Sequence, residues 1–172
     1  RPPRSTLFPY TTLFRSLSFI LLTLIFSFII FRMGFYATDN SKEDTSLPAG
    51  EQYRERIDTI NASIERFCSI GYEKVSVTSF DGLQLYGRLY EGDKDKPVDI
   101  CFHGYRSNPV NDFCAGGRYL AGQRHNVLII YERACGISDG HVISMSVNES
   151  RDAAEWIRFF RSDALLSSAP RW

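Results

Sequence analysis

The chain has 172 residues and a formal net charge of zero, with 20 Lys and Arg residues balanced by 20 Asp and Glu residues. This length allows one domain, and the neutral charge removes the electrostatic argument for a nucleic-acid partner. The four cysteines form no Cys-x-x-Cys pair and have no metal-ligand spacing, so we predict neither a metal nor a cofactor.

The first sixteen residues differ in character from the rest of the chain. Codon for codon, Thr6–Ser16 resembles the translation of a widely used sequencing adapter. We therefore interpret residues 1–16 as an artefact, exclude them from fold reasoning and expect them to be poorly ordered. The alternative is a natural leader that is aromatic and mildly basic.

An apolar segment follows, and it predicts a membrane anchor over Leu17–Tyr36. Its uncharged part, Leu17–Phe31, would span about 22 Å as a helix, which is short of a hydrocarbon core about 30 Å thick. The full segment spans the core if Arg32 extends its charged group to the interface. A cleavable signal peptide and a buried helix are the alternatives, but no small-x-small cleavage site follows.

We therefore expect a single-pass protein of the cell membrane with its domain outside the cytoplasm. The acidic residues after the anchor contribute little to this choice of orientation. Residues 37–50 are polar and contain Pro48 and Gly50, so they are predicted to be a linker.

The domain is predicted over residues 51–160 and begins with a helix and a hairpin. Glu51–Cys68 has apolar residues at helical spacing, from Tyr53 through Ile57, Ile60 and Ile64 to Phe67. The period then changes to two, and the turn residues Asp81 and Gly82 separate two alternating segments. These segments predict an antiparallel pair of strands, Glu73–Ser79 and Leu83–Glu91.

Strands then alternate with helices. Val98–Phe102 and Asn126–Tyr131 are apolar strands of the kind that lie side by side in a parallel sheet. Between them, Asn111 or Asp112 is predicted to cap a helix that ends near Gly122. The sequence thus predicts an α/β fold with a mixed, mostly parallel sheet and helices on both faces.

A last helix is predicted to begin at the capping box Ser146-x-x-Glu149. Its inward residues are predicted to be Ala153, Ala154, Trp156, Ile157 and Phe160. Residues 161–172 contain no strand, although the alternation requires one, and we interpret them as a tail of doubtful origin.

The strand Val98–Phe102 leads into the loop His103-Gly104-Tyr105-Arg106-Ser107. A loop at this position directs backbone N–H groups at the mouth of a parallel sheet, where acyl-transfer enzymes stabilise an oxyanion. Gly104 fits a backbone that must approach a ligand closely.

Five blocks of sequence resemble the α/β-hydrolase superfamily, in particular bacterial membrane-anchored members related to serine aminopeptidases and acylaminoacyl-type peptidases. The blocks are Val77–Gly87, His103–Ser107, Asp112–Gly117, Asn126–Gly140 and Glu149–Trp156. They occur in the family's order and spacing, over about Ser76–Phe160. The resemblance implies the N-terminal half of an α/β-hydrolase fold.

The resemblance also implies roles for three residues of the loop. The backbone N–H of Tyr105 donates to the oxyanion, and His103 and Gly104 belong to the oxyanion loop. His103 orders this loop through hydrogen bonds and is distinct from the triad histidine. We find no serine on a strand-to-helix elbow and no downstream Asp and His pair, so we expect the nucleophile and the triad acid and base to be absent.

We therefore expect an inactive fragment of a membrane-anchored serine hydrolase. The full-length parent would cleave an ester or amide bond of a small molecule or peptide through an acyl-enzyme. The alternative is a membrane-tethered binding module without catalysis.

Some residues depart from the family pattern or stay outside it. Glu132 and Cys135 stand where relatives carry Gln and His, and Glu132 could pair with Arg133 or Arg106. A catalytic role for the Cys135 thiol is a minor alternative. His125 and His141 are interpreted as exposed loop residues.

Overall fold

A computed structural model describes residues 8–37 and 50–162. Most of the predicted linker and all but two residues of the predicted tail lie outside these ranges. The chain divides into two units, residues 1–36 and residues 37–172.

The first unit contains the helix α1, Phe8–Phe35, whose 28 residues extend over about 42 Å. Its part Tyr10–Phe35 is long and apolar enough to cross a membrane, a property that signal sequences share. The helix begins at Phe8, before Leu17, so it includes part of the segment that was excluded from fold reasoning. The low order expected of residues 1–16 stays a prediction. Extending an existing helix adds one hydrogen bond per residue without a new nucleus, and Pro9 is tolerated in the first turn. The foreign origin of residues 1–16 stays a prediction.

The second unit begins with the predicted amphipathic helix, which is divided in two. Glu51–Arg56 forms a 3-10 helix, and the α-helix α2 covers Ile57–Cys68. Ile64 and Phe67 are buried on its inner face.

Four strands form one mixed sheet. They are β1 (Glu73–Thr78), β2 (Gln84–Tyr90), β3 (Val98–Cys101) and β4 (Asn126–Ile130), in the spatial order β1-β2-β4-β3. β2 is antiparallel to both β1 and β4, whereas β3 and β4 are parallel. The predicted hairpin and the predicted parallel neighbours are confirmed.

The sheet is covered by helices on both faces, as predicted. Leu128 and Ile130 of β4 belong to the core beneath α5 (Glu149–Ser162), together with Trp156. Val127 and Ile129 face the opposite core, which is formed with α2. Because successive side chains of a strand point to opposite faces, β4 contributes to both cores.

The predicted helix from Asn111 or Asp112 to Gly122 is wrong in its start and its continuity. This segment instead forms two short helices, α3 (Pro109–Phe113) and α4 (Gly116–Gly122). Asn108 is the cap, because its Oδ1 accepts from the backbone N–H of Val110 at 2.8 Å.

Two predictions for α5 are also wrong. Ile157 is 49% exposed, because the buried face follows Trp156 and Phe160, four residues apart. Glu149 forms its capping contacts with Ser144 instead of Ser146. The Glu149 carboxylate accepts from the backbone N–H of Ser144 at 2.8 Å and from Ser144 Oγ at 2.5 Å.

Trp156 is the largest fully buried side chain of the core beneath α5. We expect Trp156→Ala to lower the free energy of unfolding by about 3–5 kcal/mol, because it removes buried area and leaves a cavity. Urea unfolding followed by circular dichroism measures this loss. Ile157→Ala, on the exposed side of the same helix turn, should change stability by about 0.5 kcal/mol or less; equal losses in the two variants would contradict this packing.

Candidate functional site

The loop after β3 is held in place by a carboxylate of the following helix. Asp112 Oδ2 accepts from the backbone N–H of Gly104 at 3.0 Å, and its Oδ1 accepts from Ser107 Oγ at 2.5 Å. Within the loop, the backbone N–H of Ser107 donates to the Gly104 carbonyl at 3.0 Å. Asp112, which was predicted to cap a helix, therefore holds the loop after β3 instead.

His103 links this loop to the loop after β4. The backbone N–H of Glu132 donates to His103 Nε2 at 3.3 Å, so this nitrogen is an acceptor. The ring proton is thereby assigned to Nδ1, which lies 2.9 Å from the Gly104 carbonyl oxygen. Burial lowers the pKa of His103 and keeps the ring neutral. These contacts fit the loop-ordering role, which stays a prediction.

A cleft of about 450 Å³ lies at the carboxyl ends of β3 and β4, the edge of an open α/β sheet where ligands bind. Its walls come from the loop after β3, from Glu132, and from the segment that leads into α5. Residues that line it include Phe102, His103, Tyr105, Glu132, Met145 and Glu149. Tyr105 is 51% exposed at this cleft, and its role as an oxyanion donor stays a prediction.

One wall of the cleft has an unusual backbone. Met145 and Ser146, which are consecutive, have φ values of 49° and 72°, in the left-handed region. Residues other than glycine are uncommon there, because Cβ approaches the following carbonyl oxygen.

Glu132 has no ion pair, so the pairing considered with Arg133 or Arg106 is wrong within the described part of the chain. Its side chain is half-buried at the cleft. Burial first, and then the charges of Glu149 and Asp152, raise the pKa of Glu132 to about 7.

Arg133 pairs with two aspartates instead. Its Nε donates to Asp152 Oδ2 at 2.7 Å, and its Nη1 donates to Asp81 Oδ2 at 3.0 Å. The side chains of Arg133 and Asp152 are each 5% exposed, whereas Asp81 is 38% exposed. The hydrogen bond from Arg133 lowers the pKa of Asp81, and the one from Arg133 to Asp152 raises the pKa of the guanidinium.

Ser138 carries a sequence signal that the sequence analysis missed. Gly136-Ile137-Ser138-Asp139-Gly140 has the Gly-x-Ser-x-Gly spacing of a nucleophile elbow. Ser138 is 2% exposed, however, and its Oγ donates to the Tyr131 carbonyl at 2.6 Å and accepts from the Tyr86 backbone N–H at 2.9 Å. No helix follows directly, since α5 begins only at Glu149. Ser138 therefore ties the loop after β4 to β2, and the spacing is not an elbow.

The Cys135 thiol is poorly suited to nucleophilic catalysis. Its Sγ donates to the Ser107 carbonyl at 3.7 Å. Burial, followed by the charges of Glu132 and Asp112, raises the pKa of Cys135 to about 12. Because the thiolate is the reactive form, this thiol is inert at neutral pH.

The remaining candidate residues lie elsewhere. His125 is not a simple exposed residue, because its Nδ1 lies 2.6 Å from Asp99 Oδ2, whereas His141 is exposed. Within residues 8–37 and 50–162, no group of three or more His, Cys, Asp or Glu side chains could hold a metal ion.

Comparison with known proteins finds esterases and α/β-hydrolases among solved structures. The Pyrococcus furiosus esterase Pf2001 is 27% identical over 56% of this chain and 39% of its own, with a TM-score of 0.47. An alpha-beta hydrolase from Vibrio vulnificus is 19% identical over 70% of this chain and 39% of its own, with a TM-score of 0.44. The alpha/beta hydrolase GrgF from Penicillium sp. sh18 is 20% identical over 54% of this chain and 33% of its own, with a TM-score of 0.43.

The chain thus spans less than half the length of these structures. No protein-family model matches the sequence, and no curated protein matches it.

We expect Ser138→Ala to act on stability. It leaves the Tyr86 N–H and the Tyr131 carbonyl without their buried partner, which costs about 1–3 kcal/mol of unfolding free energy. Ser76→Ala, at an exposed position of β1, is the control and should change stability by about 0.5 kcal/mol or less.

Intact-mass analysis with a fluorophosphonate should detect no adduct on the wild-type chain, and an adduct on Ser138 would restore it as a nucleophile.

Proposed function

We propose that the full-length parent of this chain is a serine hydrolase that cleaves ester or amide bonds, and that the present chain is inactive. The observation that carries the proposal is the position of His103-Gly104-Tyr105 at the carboxyl end of β3, beside the cleft. Asp112 and the Glu132 backbone fix this loop, so its donors are oriented before a substrate binds.

The proposed reaction proceeds through an acyl-enzyme. A serine outside this chain attacks the carbonyl carbon of the substrate, and the carbonyl oxygen becomes an oxyanion. The backbone N–H of Tyr105 donates to this oxygen, and the residue after the nucleophile supplies a second donor. The triad base, which is also outside this chain, takes the serine proton and passes it to the alcohol or amine that leaves as the oxyanion collapses. Water then hydrolyses the acyl-enzyme and releases the acid. His103 takes no proton in this scheme, because its Nε2 already accepts from Glu132.

A membrane-tethered binding module is the second candidate. It is favoured by the cleft itself, which is formed by described residues, and by the engagement of Ser138 in backbone hydrogen bonds. A cleft without an available nucleophile can bind a ligand but cannot form an acyl-enzyme.

The two candidates differ in covalent labelling. We expect the 172-residue chain to show no esterase or amidase turnover and no fluorophosphonate labelling, because loss of a triad member costs a factor of about 10⁴ or more in rate. Continuing the natural reading frame beyond Phe160 should restore both. Failure of the extended protein would leave the binding module.

Membrane anchoring by α1 is part of the proposal. Leu21 and Ile25, near the middle of the helix, are 58% and 47% exposed, so their apolar surface is available to lipid. Near its end, the guanidinium of Arg32 lies 3.8 Å from the centre of the Tyr36 ring. An aromatic ring and a long cationic side chain are the residues expected at the interface. The domain is proposed to lie outside the cytoplasm.

Liposome flotation tests the anchor. We expect the wild-type chain to float with neutral liposomes and the variant Leu21→Arg/Ile25→Arg to remain at the bottom, because each central Arg costs about 2.5–3.5 kcal/mol. The control Tyr119→Arg/Val147→Arg adds the same charge at exposed positions of the second unit and should still float. Recovery of the wild-type chain in the lipid-free fraction is the contrary result.

A further inference from the structure

The segment that leads into α5 carries exposed apolar side chains. Residues 142–147, the rim segment, read Val-Ile-Ser-Met-Ser-Val and contain no charged residue. Val142, Met145 and Val147 are 39%, 51% and 71% exposed. Met145 and Ser146 also form part of the wall of the cleft. Exposed apolar side chains that are grouped beside a cleft mark an interaction surface.

Hydrogen bonds hold the rim segment in this conformation. Ser144 Oγ accepts from the backbone N–H of Asn148 at 2.8 Å, and the Ser144 carbonyl accepts from the backbone N–H of Val147 at 3.2 Å. The backbone N–H and Oγ of Ser144 in turn donate to the carboxylate of Glu149. The polar groups of Ser144 are thus engaged within the fold. The exposure of Met145 and Val147 is therefore a property of a hydrogen-bonded loop.

The rim segment is tied to the residue that follows the proposed anchor. Ala37 is the first residue of the second unit, and its backbone N–H donates to the carbonyl of His141 at 2.8 Å. One peptide bond joins Ala37 to Tyr36, the last residue of the proposed anchor. The end of a membrane-spanning helix lies at the interface between lipid and water. Because the rim segment begins directly after His141, the connectivity of the chain brings it to this interface.

We propose that the rim segment is a second membrane contact, in which Val142, Met145 and Val147 enter the headgroup and upper acyl region of the lipid bilayer. The inference rests on the proposed anchoring by α1 and goes beyond it, since it puts the mouth of the cleft at the lipid surface. Removal of apolar surface from water supplies the free energy of this contact.

Two observations favour lipid over a protein partner or a second copy of the chain. The hydrogen bond between Ala37 and His141 brings the rim segment to a lipid surface without any other molecule. The rim segment also contains no Lys or Arg, so attraction to anionic headgroups contributes little and a neutral bilayer is sufficient.

An environment-sensitive fluorophore measures the contact. The 172-residue chain is reconstituted in neutral phosphatidylcholine liposomes with a nitrobenzoxadiazole label on Val147→Cys, in a Cys68→Ser background that removes an exposed thiol. We expect the emission to shift to the blue and to be quenched by lipids that carry a nitroxide high on the acyl chain. Liposomes with added anionic lipid should give the same signals, and the labelled background without the new cysteine supplies the blank.

Tyr119→Cys, labelled in the same background, is the matched control. Tyr119 is 67% exposed and lies on α4, which ends at Gly122, shortly before β4 begins at Asn126. This end of α4 is therefore at the amino edge of the sheet, opposite to the cleft. The label at position 119 should emit as in water and should not be quenched.

A charge in the rim segment should release it from the bilayer. With the label at position 147, Met145→Asp should shift the emission back to the red and remove the quenching, because a carboxylate in lipid is costly. Asp is compatible with the left-handed backbone of Met145. Ile157→Asp makes the same change at a 49% exposed position about two turns into α5 and should leave both signals unchanged. Both variants should still float, and circular dichroism establishes that they are folded.

A label at position 147 that emits as in water would overturn the inference, as would equal quenching at positions 119 and 147 or quenching that survives Met145→Asp. Blue-shifted emission without quenching by nitroxide lipids would also overturn it, and would indicate a protein partner or a second copy. If the chain does not float, the anchor and the second contact fail together. If the label is quenched but the extended protein is not labelled by fluorophosphonate, the proposed hydrolase activity fails and the membrane contact stands.

Discussion

The buried guanidinium of Arg133 connects three parts of the domain that are distant in sequence. It follows β4 and binds Asp152 of α5 and Asp81 in the turn of the β1–β2 hairpin. Removing one partner of a buried pair leaves an uncompensated charge, which costs about 3–5 kcal/mol. This interaction fixes the course of the loop after β4. The position of Glu132, and through its backbone that of His103, follows from it.

The strands were predictable because the signals that define them are local. Alternating polarity and the Asp81-Gly82 turn define the hairpin, and Asn126–Ile130 is apolar on both faces because both are covered. Helix caps were not predictable to the residue. Several short polar side chains lie near each helix start, and a tertiary contact decides which of them caps. Asp112 was expected to cap a helix, but it holds the loop before α3.

The candidate site was predicted in its position but not in its electrostatics. His103, Gly104 and Tyr105 are adjacent in sequence, so the end of one strand predicts where they lie. That Glu132 has no ion pair depends on contacts across the fold, because the neighbouring Arg133 binds aspartates 52 and 19 residues away. Ser138 shows the same limit, because its spacing fits a nucleophile and only its burial excludes that role.

The left-handed backbone at Met145 and Ser146 limits how this cleft can vary in sequence. Both side chains are exposed, and exposed positions normally accept most residues. Here the backbone favours Gly, Asn and Asp, and it strongly disfavours Val, Ile and Thr, whose branched Cβ is most crowded at positive φ. Variation of the cleft among related sequences should therefore be concentrated at Phe102, Glu132 and Ala153, whose backbones are outside the left-handed region.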